Sequence, residues 1–283
     1  MDKESAKLVK TPGGSIYIDV HGASDGVPLL VLNGGPGFDH SYLKFSGAWD
    51  DLGSNRPVIF YDQRGTGQSS PMKEGDSCTL VDQLSDLEAV RNHLNFKQLD
   101  LLGHSWGGFL GMAYTARHPS RVRRLVLVDS AAPRLQDTVF LFEHAYPETV
   151  ERRKAEEFGI EMGDDEAIQR YMREYFSMIF LSTEMRDAFA AKADPKAYIH
   201  KVNETLWNDA QKFDLTPELS KFKQQTLVIT GRFDMNVATS VAYGIHKAIP
   251  SSEFVVFEHS GHIPFFEEQE AFVRVVNEFL LKD

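Results

Sequence analysis

Leu101-Leu102-Gly103-His104-Ser105-Trp106-Gly107-Gly108 fits the pattern Gly-x-Ser-x-Gly, and its surroundings decide how it is read. Leu99-Asp100-Leu101-Leu102 before it is a short apolar run of the kind that forms a buried strand, and the residues after Ser105 carry a helical pattern that ends near His118-Pro119. A strand that turns sharply into a helix, with glycines on both flanks of a serine, lifts the hydroxyl clear of a sheet. Ser105 is therefore the candidate nucleophile.

Working outward, similar runs recur at Ser15–Val20, Leu29–Leu32, Val58–Tyr61, Leu125–Val128, Leu227–Ile229 and Phe254–Phe257. Continuous apolar runs bounded by Gly, Pro or Asp are typical of strands covered on both faces. Helical patterns separate them. Leu80, Leu84, Leu87 and Leu94 share one face of a segment that opens with a capping sequence at Thr79–Asp82, and Phe272, Val275, Val276 and Phe279 mark a closing helix. This alternation predicts an α/β protein with a mostly parallel central sheet and helices on both faces. From about residue 133 to residue 220 no apolar strand occurs, and charged, aromatic-rich helical stretches fill the gap around 138–158, 166–180, 184–191 and 196–207. Because the alternation resumes at Thr226, the expected division is a core of residues 1–132 and 221–283 interrupted by a helical cap, 133–220.

A serine hydroxyl needs a base to become a good nucleophile, and the base needs an acid to hold its tautomer. Where a nucleophile sits on a strand-to-helix turn of this kind, the order along the chain is Ser, then Asp or Glu, then His. Asp234 follows the strand-like Thr226–Thr230, and His262 comes 28 residues later, after the last apolar run. His262 is preferred to His259 because Gly261 precedes it and an apolar helix entry follows. Asp129 also ends a strand, but it lies only one strand beyond Ser105 and is read as structural, with the acid's role as its alternative. Donors for a developing oxyanion are expected from the Trp106 N–H and from Gly35 or Gly34 in the loop Asn33-Gly34-Gly35-Pro36-Gly37. That loop is no dinucleotide fingerprint, since the spacing would require glycine at His40. No cofactor and no metal are expected.

The 283 residues include 42% apolar, 11% aromatic and 25% charged side chains, enough to bury a core of domain size. Thirty Lys and Arg against forty-one Asp and Glu leave a formal charge of −11, which argues against nucleic acid or anionic lipid as a partner. Cys78, the single cysteine, excludes an internal disulfide and a multi-thiolate metal site. The charged start Met1–Lys7 lacks a signal-like apolar segment, and no run of about 18 apolar residues occurs. A cytoplasmic location, with no membrane partner, is the expectation.

Asn33-Gly-Gly-Pro-Gly37, Asp62-Gln-Arg-Gly-Thr-Gly-Gln-Ser69 and Gly103-His-Ser-Trp-Gly-Gly108, in this order, resemble the proline iminopeptidase branch of the α/β-hydrolases over about residues 10–132 and 222–283. The resemblance implies an α/β-hydrolase fold with a helical cap, an oxyanion loop containing Gly34 and Gly35, and a structural brace at Arg64. It also implies a cap that supplies glutamates to grip the free amine of a short peptide or amide, with Glu204 first and Glu174 and Glu184 behind it; read from the residues alone, each of these is a solvated helix-face charge. Aromatics of the insertion, Tyr171, Tyr175, Phe176, Phe180 and Trp207 among them, are read by their helical spacing as packing residues first, with an apolar pocket lining as the alternative. Asn33 replaces the family's usual histidine, and His104 replaces a glycine carried by many members. The expected activity is release of an N-terminal residue, preferentially proline. A carboxylesterase, lactonase or general amidase on the same residues is the alternative, and a non-catalytic binding protein on this scaffold is the alternative of a different class. An aspartate in place of Ser105 would mark an epoxide hydrolase or dehalogenase, so those are disfavoured.

Overall fold

The computed structural model describes residues 4–282. Eight strands form one sheet: β1 (Glu4–Thr11), β2 (Gly14–Gly22), β3 (Leu29–Leu32), β4 (Pro57–Tyr61), β5 (Leu99–His104), β6 (Val122–Val128), β7 (Gln225–Gly231) and β8 (Ser252–Phe257). Their spatial order is β1-β2-β4-β3-β5-β6-β7-β8. β2 pairs antiparallel with β1 and β4, and every other pairing is parallel. The sequence runs named above seven of these strands. β1 escaped because its solvent-rich alternation buries Val9 while Leu8, Lys7 and Lys10 stay exposed, as an edge strand allows.

Alternate side chains of the central strands feed two apolar cores. Leu30, Leu32, Leu101, Leu125 and Val228 face one side, where α1 (Leu80–His93), α2 (Trp106–Arg117) and a helix over Thr239–Ala248 pack. Leu29, Val31, Leu102, Val126 and Ile229 face the other, against Trp49 and a helix over Gln269–Leu280. The first helix begins as its sequence indicates: the Asp82 amide donates to Thr79 Oγ1, and the Thr79 amide donates back to Asp82 Oδ2.

Between β6 and β7 the described residues are helical, with α3 (Pro147–Ala155), α4 (Asp165–Ile179), α5 (Thr183–Ala190) and α6 (His200–Ala210) as the main elements. They build no separate core. Phe142, Met172, Phe176, Ile179, Phe189 and Tyr198 join the second sheet-face cluster, while Val202, Leu206 and Ala210 join the first. This shared burial holds the helices over the carboxyl ends of the parallel strands. Among the described residues no helix is long and apolar enough to cross a membrane.

Candidate active site

Ser105, Asp234 and His262 each lie beyond a parallel strand, at the end where open α/β sheets collect functional groups. Ser105 follows β5 and adopts φ 57°, ψ −119°, a conformation rarely accessible to a residue with a side chain. It persists because the surroundings fix it: the Ser105 amide donates to Val128 O, and its carbonyl accepts from the amides of Gly108 and Ala131. The strain sits on the serine. The flanking glycines are required by close approach, since a Cβ at Gly103 would lie 2.2 Å from the Gly107 carbonyl oxygen and one at Gly107 would lie 2.1 Å from that of Leu32.

Asp234 and His262 are brought together in full burial, with His262 Nδ1 2.7 Å from Asp234 Oδ2. The carboxylate's other oxygen accepts from the amides of Asn236 and Val237 at 2.7 and 2.8 Å. Facing a carboxylate, Nδ1 carries the ring proton, which leaves Nε2 as an acceptor. Its partner in this state is Asn236 Nδ2 at 3.1 Å. Ser105 and His262 line the same cavity, and among the described residues no hydrogen bond joins them; a proton transfer between them would require Nε2 to exchange Asn236 for the serine. Asn236 belongs to no motif and was not anticipated.

Asp129 is buried beside Asp234. Burial first, and then the Asp234 charge, push its carboxyl well above the ordinary carboxylate range, and its Oδ1 accepts from the Gly231 amide at 2.8 Å. Asp129 thus holds its proton more tightly than an ordinary carboxyl, whereas the imidazole contact belongs to Asp234.

His104 ties the serine turn to the histidine loop. Its Nε2 donates to the His262 carbonyl at 2.9 Å, so Nδ1 accepts, and Tyr42 Oη donates to it at 2.7 Å. Burial, reinforced by His262, holds its pKa well below the ordinary value and keeps it neutral. The same tyrosine oxygen accepts from the Gly34 amide at 2.6 Å. This corrects one expectation: Gly34 has its N–H committed to Tyr42, so it is not a free oxyanion donor. The amides of Gly35 and Trp106 donate to no acceptor among the described residues, and both residues line a cavity with Ser105.

The loop after β3 is braced from below. Gln63 Nε2 donates to the Asn33 carbonyl at 2.9 Å, and Asn33 Nδ2 donates to the Phe38 carbonyl at 2.7 Å. Arg64 makes a two-pronged contact with Asp86 at 2.9 Å through each nitrogen. His40 Nδ1 lies 2.6 Å from Asp62 Oδ1 and its Nε2 lies 3.7 Å from Asp19 Oδ2, so both ring nitrogens face carboxylates. His104, Asp129 and His262 bring ligand-type atoms within 4.8 Å of one another, but His104 and His262 already hold hydrogen bonds at both ring nitrogens.

The alpha/beta hydrolase fold family matches residues 27–269. A proline iminopeptidase of Saccharolobus solfataricus is 30% identical over 89% of this chain and 84% of its own length, and one from Clostridium botulinum is 28% identical over 90% of each. The chain belongs to the alpha/beta hydrolase family, in its proline iminopeptidase branch. It is a serine hydrolase. Among solved structures, a Rhodococcus esterase superposes with TM-score 0.81 at 23% identity over 98% of both chains. A Mycobacterium smegmatis proline iminopeptidase superposes with TM-score 0.74 at 24% identity over 98% of this chain and 97% of its own. These two likenesses concern the fold.

The hydrolase carries two cavities at Ser105. The larger, about 330 Å³, is walled by Phe38, Tyr42, Met172, Phe176 and Ile179, with the exposed Arg173 and Asp194 among its lining. The smaller, about 240 Å³, runs past Trp106 and Asn236 to Arg153, Tyr171 and Trp207. The expected amine anchors lie elsewhere. Glu204 is 43% exposed and reaches Lys201 at 4.0 Å, and Glu174 pairs with Arg152 at 2.9 Å; neither glutamate lines either cavity. Their helices dock through other faces, and both carboxylates remain with surface cations. Glu184 is exposed in the first turn of α5. Of the expected aromatics, Tyr171, Tyr175, Phe176 and Trp207 line the cavities, whereas Phe180 packs against Phe189 and Phe266.

Proposed function

We propose that the hydrolase forms an acyl-enzyme on Ser105 and releases an N-terminal residue, proline foremost, from short peptides or small amides. The observation that carries the mechanism is the buried His262–Asp234 contact opening on the same cavity as the strained Ser105 turn. Ser105 Oγ bonds to the substrate carbonyl carbon while His262 Nε2 takes its proton. Asp234 stabilises the resulting imidazolium, and the Gly35 and Trp106 amides receive the oxyanion. Collapse breaks the C–N bond as His262 returns the proton to the departing amine. Water then attacks the ester carbonyl, giving a proton to His262, and the proton returns to Ser105 as the ester bond breaks.

The substrate assignment rests on the names of the relatives and on the apolar cavity, whose size suits a ring. Proline 4-nitroanilide should be turned over, and its N-acetyl derivative should not. Equal turnover of both, or of neither alongside rapid hydrolysis of short-chain esters, would reject this substrate class. One observation favours that second reading, a carboxylesterase or general amidase: Asp194 is the sole carboxylate lining the larger cavity among the described residues, and it is exposed. Ser105→Ala should lower turnover by several orders of magnitude, on the order of 10⁶ where the nucleophile acts in a triad. A binding protein would lose nothing.

A further inference from the structure

Arg153 is a cation without a counter-ion in the smaller cavity. It belongs to α3, and its guanidinium carbon stands 4.1 Å from the Tyr171 ring centroid, 4.9 Å from that of Tyr175 and 5.8 Å from that of Phe142. The rings fix its position. They do not satisfy its Nε, which is buried with no hydrogen-bond partner, and among the described residues Arg153 makes no ion pair. Neighbouring cations differ, since Arg152 pairs with Glu174 and Arg170 with Glu156 on the outer surface.

Among the described residues no aspartate or glutamate lines this cavity, and the polar side chains that do, among them Thr138, Asn203 and Asn236, carry no charge. A half-buried guanidinium with one buried, idle donor is costly on its own, and its planar fork matches a carboxylate in two parallel hydrogen bonds. Among the described residues no anion meets Arg153, so a carboxylate that pairs with it in this cavity would belong to a ligand. Ser105 lines the same cavity, so a ligand there can reach the nucleophile and the cation at once.

We propose that Arg153 anchors a carboxylate of the substrate, so that the hydrolase selects short acyl compounds or peptides bearing a carboxylate near the scissile bond. The assignment deepens the function proposed above and rests on Ser105 being the nucleophile. It also explains why the expected glutamates are absent from this pocket: beside Arg153 they would neutralise the anchor.

Two pairs of probes test it, each setting a free carboxylate against its neutral ester or amide: 4-nitrophenyl hemisuccinate against its methyl ester, and prolylglycine against prolylglycinamide. The wild-type enzyme should prefer the carboxylate member of at least one pair by about ten- to a hundredfold in kcat/KM, the range of a charge-assisted hydrogen bond. Arg153→Gln should bring that ratio close to unity, and Arg153→Lys should restore part of it. The ratio is taken within each variant, so a loss of folded protein cancels. Equal turnover within both pairs, or a preference that survives Arg153→Gln, overturns the proposal. Should the wild type cleave none of the four probes, the proposed hydrolysis fails separately, and calorimetric binding of hemisuccinate against its methyl ester to Ser105→Ala, with and without Arg153→Gln, decides Arg153 by the same ratio.

Discussion

His40 couples the loop after β3 to the sheet through a charge that the fold itself maintains. Burial alone would lower its pKa, but the carboxylates of Asp19 and Asp62 outweigh burial and raise it from 6.5 to about 9. Asp39 adds to the rise, and Lys44 and His21 share Asp19 from the other side at 2.6 and 2.9 Å. A histidine whose folded pKa lies above its unfolded one stabilises fully below the unfolded value, and this contribution is lost as pH climbs through the folded value. The window is therefore pH 6.5 to about 9. At about 1.4 kcal/mol per tenfold change in proton affinity, the full contribution is on the order of 3 kcal/mol. His40→Gln removes the titration but keeps a polar side chain of similar length. Urea unfolding of both proteins at about pH 6 and about pH 9.5 should show the wild-type advantage shrinking by about 3 kcal/mol between the two conditions. Packing losses are common to both pH values and cancel. An advantage of equal size at both would refute the reasoning, because it would mean that His40 is not held charged by its carboxylates.

Other residues give independent tests. Gly103→Ala drives a methyl group into the Gly107 carbonyl, where no side chain can yield, and should cost at least about 3 kcal/mol in chemical denaturation. Tyr42→Phe leaves the Gly34 amide and His104 Nδ1 unpaired in a buried site and should cost about 2–4 kcal/mol, measured the same way. Asp129→Asn should retain kcat/KM within about threefold, since the imidazole contact belongs to Asp234, and its stability should gain on the wild type as pH rises above the unfolded carboxyl value of about 3.9, because burial raises the folded carboxyl above it. A fall of several orders of magnitude in turnover would instead make Asp129 the acid of the mechanism.

What the sequence could disclose follows from how locally each feature is encoded. β3, β4, β5 and β6 stand out because both of their faces are buried, which forces uninterrupted apolar runs, and the capping pair Thr79/Asp82 marks its helix without reference to the rest of the chain. Ser105, Asp234 and His262 are legible because a turn or strand end is needed at each. The cap residues are different. Glu204 and Glu174 sit on amphipathic helices whose docking face depends on the sheet beneath, and composition alone does not say which carboxylate turns inward. Arg153 is the converse case: within Glu151-Arg152-Arg153-Lys154 it resembles a solvated charge run, and only the seating of α3 against Tyr171 and Tyr175 turns one of those cations into the cavity. Tyr42 and Asn236 carry no motif, and their roles arise from contacts with residues 62 and 26 positions away, His104 and His262.

Covalent labelling measures the central claim most directly. Incubation with a fluorophosphonate, followed by intact-mass and peptide mass spectrometry, should show one adduct per chain, located on Ser105, with turnover lost in step with labelling. His262→Ala should abolish that labelling while the chain remains folded. An adduct on another residue, or turnover that survives full modification of Ser105, would contradict the account.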